Sequence, residues 1–150
     1  MAMTPKKKAD KAFSRYIRLR DAIDYCLSHG IPLDQFVRPE DVIGKCCTCG
    51  TVKSWFRMDN GHFKGRGLGG GSGAYFDERN CQLQCKQCNA FKGGSPDEYE
   101  EFMIEKYGEE VVAEIRLKHR MPADFSDFAM KALEIWAKEE YNSLVEKRLF

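Results

Sequence analysis

The sequence predicts an α+β protein in which a short, cysteine-rich β centre lies between helices. Three observations predict it. Apolar residues recur at three- and four-residue spacing near both ends of the chain. Two Cys-x2-Cys pairs, Cys46 with Cys49 and Cys85 with Cys88, stand near the middle, and the stretch from Gly65 to Gly73 holds six of the thirteen glycines. At 150 residues the chain fits one domain with its own core. Its divisions are a basic N-terminal helix over 1–30, a metal-stapled core over 44–94 and a helical region over 95–150.

From Lys7 to His29, Phe13, Tyr16, Ile17, Ile23, Cys26 and Leu27 fall on one side of a helix that Gly30 and Pro32 stop. Residues 31–45 read as an irregular connection, with a short turn over Glu40–Ile43 that Gly44 ends. Val52, Trp55 and Phe56 make residues 51–58 part of a β-hairpin. The glycine-rich stretch is a loop, and without a Gly-x4-Gly-Lys-Ser/Thr pattern it is no P-loop. Ser95-Pro96-Asp97-Glu98 reads as a capping box with proline at the first helical position, opening a helix on Tyr99, Phe102, Met103 and Tyr107 that Gly108 ends. A further helix spans Glu109–His119. The last spans Asp127–Leu149, capped by Ser126 and built on Phe128, Ala132, Ile135, Trp136, Leu144 and Val145. There is no internal repeat.

Composition narrows the function classes. No apolar run approaches the roughly 20 residues that span a bilayer, and the lysine-rich start lacks an apolar signal region, so no membrane partner and a cytoplasmic location are expected. Seven cysteines are an odd number for full pairing, and in a reducing compartment thiols at this spacing hold metal. The net charge of +1 is unevenly spread, with +4 over residues 1–25, −2 over 26–43, +5 over 44–94 and −6 over 95–150. A polyanion is expected against the first helix and the centre, with little contribution from the acidic C-terminal third.

Four thiolates from Cys46, Cys49, Cys85 and Cys88 satisfy tetrahedral Zn²⁺ and leave no position for water, so this zinc is expected to be structural. Cys26, Cys47 and Cys81 are left over as small buried hydrophobes, though Cys47 or Cys81 could replace a neighbour in the shell. Between and beside the pairs lie Asp59-Asn60-Gly61-His62, Asn80 and Asn89. Phosphodiester hydrolysis needs a base for water and a cation at the phosphate; imidazole suits the first role, and carboxylate and amide oxygens suit a hard ion.

Gly61-His62 followed by Arg79-Asn80-Cys81 through Cys88-Asn89 resembles the HNH pattern, a hairpin histidine, a central asparagine and a helical histidine or asparagine. More narrowly, Phe13–Asp21, Asp59–Phe63 and Phe76–Asn80 resemble the phage NinG (Rap) recombination endonucleases, over about residues 10–115. The resemblance implies a central ββα-metal (HNH) unit carrying the four-cysteine zinc site, flanked by N-terminal and C-terminal helices. It implies His62 as general base, Asn80 orienting the imidazole, and Asn89 as a ligand of a catalytic Mg²⁺ or Mn²⁺. The family hairpin often carries Asp directly before the histidine, where this chain has Gly61; Asp59 is the substitute, and it would need a bulge near Gly61 to share a side with His62. Lys64, Arg66, Arg79, Lys86 and Lys92 are candidate phosphate contacts. Asp77 and Glu78 read as stabilising a turn, and His29 and His119 as helix-end residues. The implied function is a metal-dependent endonuclease acting on branched DNA such as Holliday junctions or D-loops, for which symmetric cutting favours a homodimer. The alternative is a non-catalytic zinc-stabilised DNA-binding or assembly module, which Gly61 in place of Asp supports.

Overall fold

The structure is a computed structural model and describes residues 2–67 and 71–148. Leu68, Gly69 and Gly70 of the expected loop, and Leu149 at the expected end of the last helix, lie outside the described residues. Helix α1 (Pro5–Ser28) starts two residues earlier than its apolar spacing predicts, because Thr4 caps it by accepting from the Lys7 amide and Pro5 fits its first turn. Phe13, Tyr16, Ile17, Ile23 and Cys26 are buried as expected, but Leu27 at the fraying end is exposed. Gly30, at φ +65°, terminates it.

Strands β1 (Ile43–Lys45) and β2 (Val52–Ser54) form an antiparallel hairpin, Ile43 opposite Ser54. The segment read as an irregular connection therefore ends in a strand, three residues centred on Gly44 and too short to show alternation. At Gly44 a Cβ would stand 3.1 Å from the Cα of Ala22, so α1 lies directly against β1. After Ser54 the chain turns through a 3₁₀ segment, Trp55–Arg57, which buries Trp55 and lets its indole donate to the Pro39 carbonyl at 2.7 Å. This turn is why residues 51–58 alternate imperfectly.

Strands β3 (Asp59–His62) and β4 (Cys81–Gln84) pair antiparallel, from Asp59 opposite Gln84 to His62 opposite Cys81. The register is continuous, so the bulge expected near Gly61 is absent. β4 is buried on both faces, with Cys81 and Leu83 packed in the clusters around α1, and Gln82 and Gln84 bonded to Tyr107 and to Thr48 and the Gly94 carbonyl. A π-helical turn, Gln87–Phe91, follows.

Helices α2 (Pro96–Tyr107) and α3 (Glu109–His119) pack together with Ala74 and Phe63 around Tyr99, Met103, Val112 and Ile115. The capping box expected at Ser95 does not form. Ser95 adopts φ +50° and its side chain caps nothing, because the Gly93-Gly94 turn, at φ +60° and +87°, brings it in left-handed. Helix α4 (Asp127–Arg148) is capped by Ser126, which accepts from the Ala129 amide. Its buried side matches the expected one in part: Trp136, Leu144 and Val145 pack with α1 as expected, joined by Leu133 and Ala137, and Met130 is buried, whereas Phe128, Ala132 and Ile135 are exposed. Apolar residues occupy more than one side of this helix, and packing on α1 selects among them. No described helix is long and apolar enough to cross a membrane.

Candidate functional site

The β1–β2 hairpin carries the first cysteine pair at its tip, and the second pair follows β4. The Sγ atoms of Cys46, Cys49, Cys85 and Cys88 all lie within 4.8 Å of one another, with Cys49 and Cys85 at 3.7 Å. Zn–S bonds of about 2.3 Å in a tetrahedron put sulfurs about 3.8 Å apart, so the cluster has the size of a tetrathiolate metal site. The Cys88 amide donates to Cys85 Sγ and Thr48 Oγ1 lies 3.4 Å from Cys46 Sγ, contacts that favour thiolates. Burial pushes the Cys46 thiol up, but surrounding main-chain amides and Thr48 outweigh it and hold it below the ordinary value. Cys85 is driven the other way by burial, by the Cys88 and Cys49 thiols and by the Cys46 charge. Opposed shifts are what four crowded thiols give; a divalent cation removes the conflict. Cys26, Cys47 and Cys81 stand outside this cluster. Cys26 and Cys81 are fully buried in the core, and Cys47 packs against the α2–α3 cluster.

Helix α1, strand β3, Tyr75 and the segment after β4 line a cleft of about 580 Å³ that contains Asp59, Asn60, His62, Lys86 and Asn89. Asp59 opens β3, and its carboxylate turns to the segment after β4: Lys86 Nζ donates to Oδ1 at 2.7 Å and Asn89 Nδ2 to Oδ2 at 3.1 Å. Burial raises the Asp59 carboxyl, but these two bonds and the Lys86 and Arg18 charges prevail and hold it below its usual range. Asp59 and His62 thus share the cleft without a bulge.

The His62 ring stacks on Tyr75 with centroids 4.2 Å apart and planes 19° apart, and it hydrogen-bonds to the Tyr75 main chain. Its Nε2 is buried without a partner among the described residues. Burial lowers its pKa and the Arg66 charge adds to this, against opposition from Asp10 and the Tyr75 bond, leaving it below the ordinary histidine value. The imidazole is thus oriented by Tyr75 in a cleft lined by Lys7, Lys11, Arg18 and Lys86. Asn80 is fully buried and holds the main chain of Lys64 at both ends, accepting from its amide at 2.8 Å and donating to its carbonyl at 2.9 Å. It fixes the chain two residues beyond His62; Tyr75, not Asn80, touches the imidazole.

Of the expected phosphate contacts, Lys86 lines the cleft and Arg66 acts on His62 by charge. Lys64, Arg79 and Lys92 line no part of it, and Arg79 is bound by Asp77 and Glu114 at 2.8–2.9 Å. Sequence reasoning missed Lys7, Asp10, Lys11, Ser14 and Arg18, which α1 presents to the cleft, and Tyr75, whose hydroxyl donates to Asp10. The signal was present: Lys7, Lys11, Ser14 and Arg18 recur at four, three and four residues, a polar stripe along one helix face.

A family model described as Bacteriophage Lambda NinG protein matches residues 31–146. Over 87 residues the chain is 36% identical to Protein ninG of Escherichia phage 933W and 34% identical to Protein ninG of Escherichia phage lambda. These matches cover 58% of this chain and 42% and 41% of those proteins, so the aligned part spans about two-fifths of their length. No solved structure matches.

Proposed function

The chain belongs to the NinG family, and from that premise we propose that it is a metal-dependent DNA endonuclease that hydrolyses phosphodiester bonds in branched recombination intermediates. The observation that carries the reading is the stacked His62, whose buried Nε2 has no partner among the described residues, in a cleft with Asp59 and Asn89, lined by Lys7, Lys11, Arg18 and Lys86. In this reading β3, β4 and the turn Gln87–Phe91 form the ββα-metal unit, and Cys46, Cys49, Cys85 and Cys88 hold a structural Zn²⁺. The preference for Holliday junctions or D-loops comes from the resemblance to NinG recombination endonucleases.

Asp59 and Asn89 would hold a hard divalent cation, Mg²⁺ or Mn²⁺, through a carboxylate oxygen and the amide oxygen, once the Asn89 amide, whose nitrogen donates to Asp59, turns over and the cation displaces the Lys86 ammonium. Bound there, the cation supplies charge neutralisation at the scissile phosphate. His62 removes a proton from water through Nε2, and its bond to Tyr75 favours the imidazolium that forms. Asn80 keeps the following loop in register. The lysines and Arg18 hold backbone phosphates. A junction cut symmetrically calls for two such sites and hence a homodimer, acting in the host cytoplasm.

The second reading is a non-catalytic DNA-binding or assembly module. It is favoured by Gly61: a Cβ there would meet the buried side chain of Gln84, so no aspartate can stand before His62 without repacking. Incubating the protein with labelled linear, forked and four-way DNA, with and without Mg²⁺ or Mn²⁺, separates the two. Cation-dependent cutting supports the enzyme, and tight binding with no cutting of any form supports the module.

A further inference from the structure

Helix α1 presents a second basic face beside the one that lines the cleft. Lys8, Lys11 and Arg15 face a groove of about 760 Å³ between α1 and α4, and α4 supplies Lys131 and Lys138 from the opposite wall. Among the residues that line the groove these five cations face one carboxylate, Glu134, and Arg15 also pairs with Glu40 outside it at 3.7 Å. Glu134 is only 5% exposed and accepts from Lys131 at 3.2 Å and Lys138 at 2.8 Å. One buried anion thus anchors two ammonium groups whose side chains stay 64% and 63% exposed. Arg15 is fixed over the Tyr141 ring and donates to its hydroxyl, which keeps its own proton to give. The groove joins the cleft, because Met3 and Lys11 line both.

We propose that this groove is a second nucleic-acid contact, a track for the phosphate backbone of a duplex DNA arm that leaves the cleft along α1. The proposal rests on the reading of the cleft as a DNA site and extends it. Lys131 and Lys138 are seven residues apart, a rise of about 10 Å along the helix, which matches about three base-pair steps of ~3.4 Å. The C-terminal third, although acidic in sum, therefore belongs partly to the DNA surface. Part of its negative charge lies elsewhere, with Glu98, Glu101 and Glu105 of α2 lining a different groove that also holds Asp21 and Asp24.

The test is equilibrium binding, without added divalent cation, to four-way DNA with arms of about 5 or about 20 base pairs, less and more than one turn of ~10 base pairs. Wild type is compared with K8Q/K131Q/K138Q and with K8Q, which leaves both Glu134 ion pairs intact; none of these lysines lines the cleft. The wild type should gain affinity with arm length, and the triple variant should lose that gain. The slope of log affinity against log salt on long arms should fall by about 3 in the triple variant and about 1 in K8Q. A triple variant with wild-type long-arm affinity and slope overturns the proposal, as does a wild type that gains nothing from longer arms. Binding is read without cleavage, so a protein that favours long arms but cuts nothing supports the groove and sinks the nuclease. One that cuts but ignores arm length does the reverse.

Discussion

Gly61 and His62 are adjacent in sequence, yet they face different problems. Gly61 is buried, and a Cβ there would stand 2.8 Å from Gln84 Cβ, while Tyr99 donates to the Gly61 carbonyl at 2.6 Å. Gly61→Ala should therefore cost about 1–3 kcal/mol by overpacking. Urea melts measure it, and adding Gln84→Ala should recover part of the loss in a double-mutant cycle; simple additivity would contradict the contact. His62 is displaced in its titration mainly by burial. A base must be unprotonated, and a pKa lowered from its ordinary value of about 6.5 keeps it so to more acid pH. The rate of cleavage should stay level from pH 7 down to about 6.5 and fall only below that. An acid limb that bends above pH 6.5 would contradict the lowered pKa.

The β1–β2 hairpin and the segment after β4 meet at four sulfurs within 4.8 Å of one another, so the candidate metal site is a property of the elements. On the proposed zinc reading, metal binding is folding free energy, and Cys85→Ser with Cys88→Ser should remove the zinc and lower the melting temperature. Metal analysis with thermal melts checks this, and unchanged zinc content would contradict the shell. The cysteine ligands were legible because two residues between cysteines fit one tight turn, and α1 to α4 were legible from spacing, glycine stops and the Ser126 cap. β1 was not, since three residues centred on Gly44 carry too little alternation to register. Nor was the whole buried side of α4, because Phe128, Ala132 and Ile135 fit a helical stripe as well as Met130, Leu133 and Ala137 do, and only contact with α1 distinguishes them. Asp59, His62 and Asn89, which the motif singled out, line one cleft, while Tyr75 was invisible because it reaches His62 by tertiary packing alone.

Across the whole molecule, the near-zero net charge conceals a division of labour. Cations from α1 meet those of the centre at the cleft, while α2 carries its carboxylates into another groove. DNA affinity should fall steeply with salt, and K7Q/K11Q/K86Q should reduce the slope of log affinity against log salt by about 3. Lys92→Gln should leave it near wild type, since Lys92 is exposed and lines no part of the cleft. Titrations at several salt concentrations decide, and equal effects of the two variants would place the DNA elsewhere. The central claim is that this surface serves hydrolysis through His62, and single-turnover cutting of a labelled four-way DNA with Mg²⁺, by wild type and by His62→Ala, tests it most directly. The account predicts a loss of ~10² to ~10⁴-fold in rate with zinc content and junction affinity unchanged, in a variant that still folds but melts lower because the ring stacked on Tyr75 is gone. A variant that cuts as fast as wild type, or a wild type that cuts no DNA form, would contradict it.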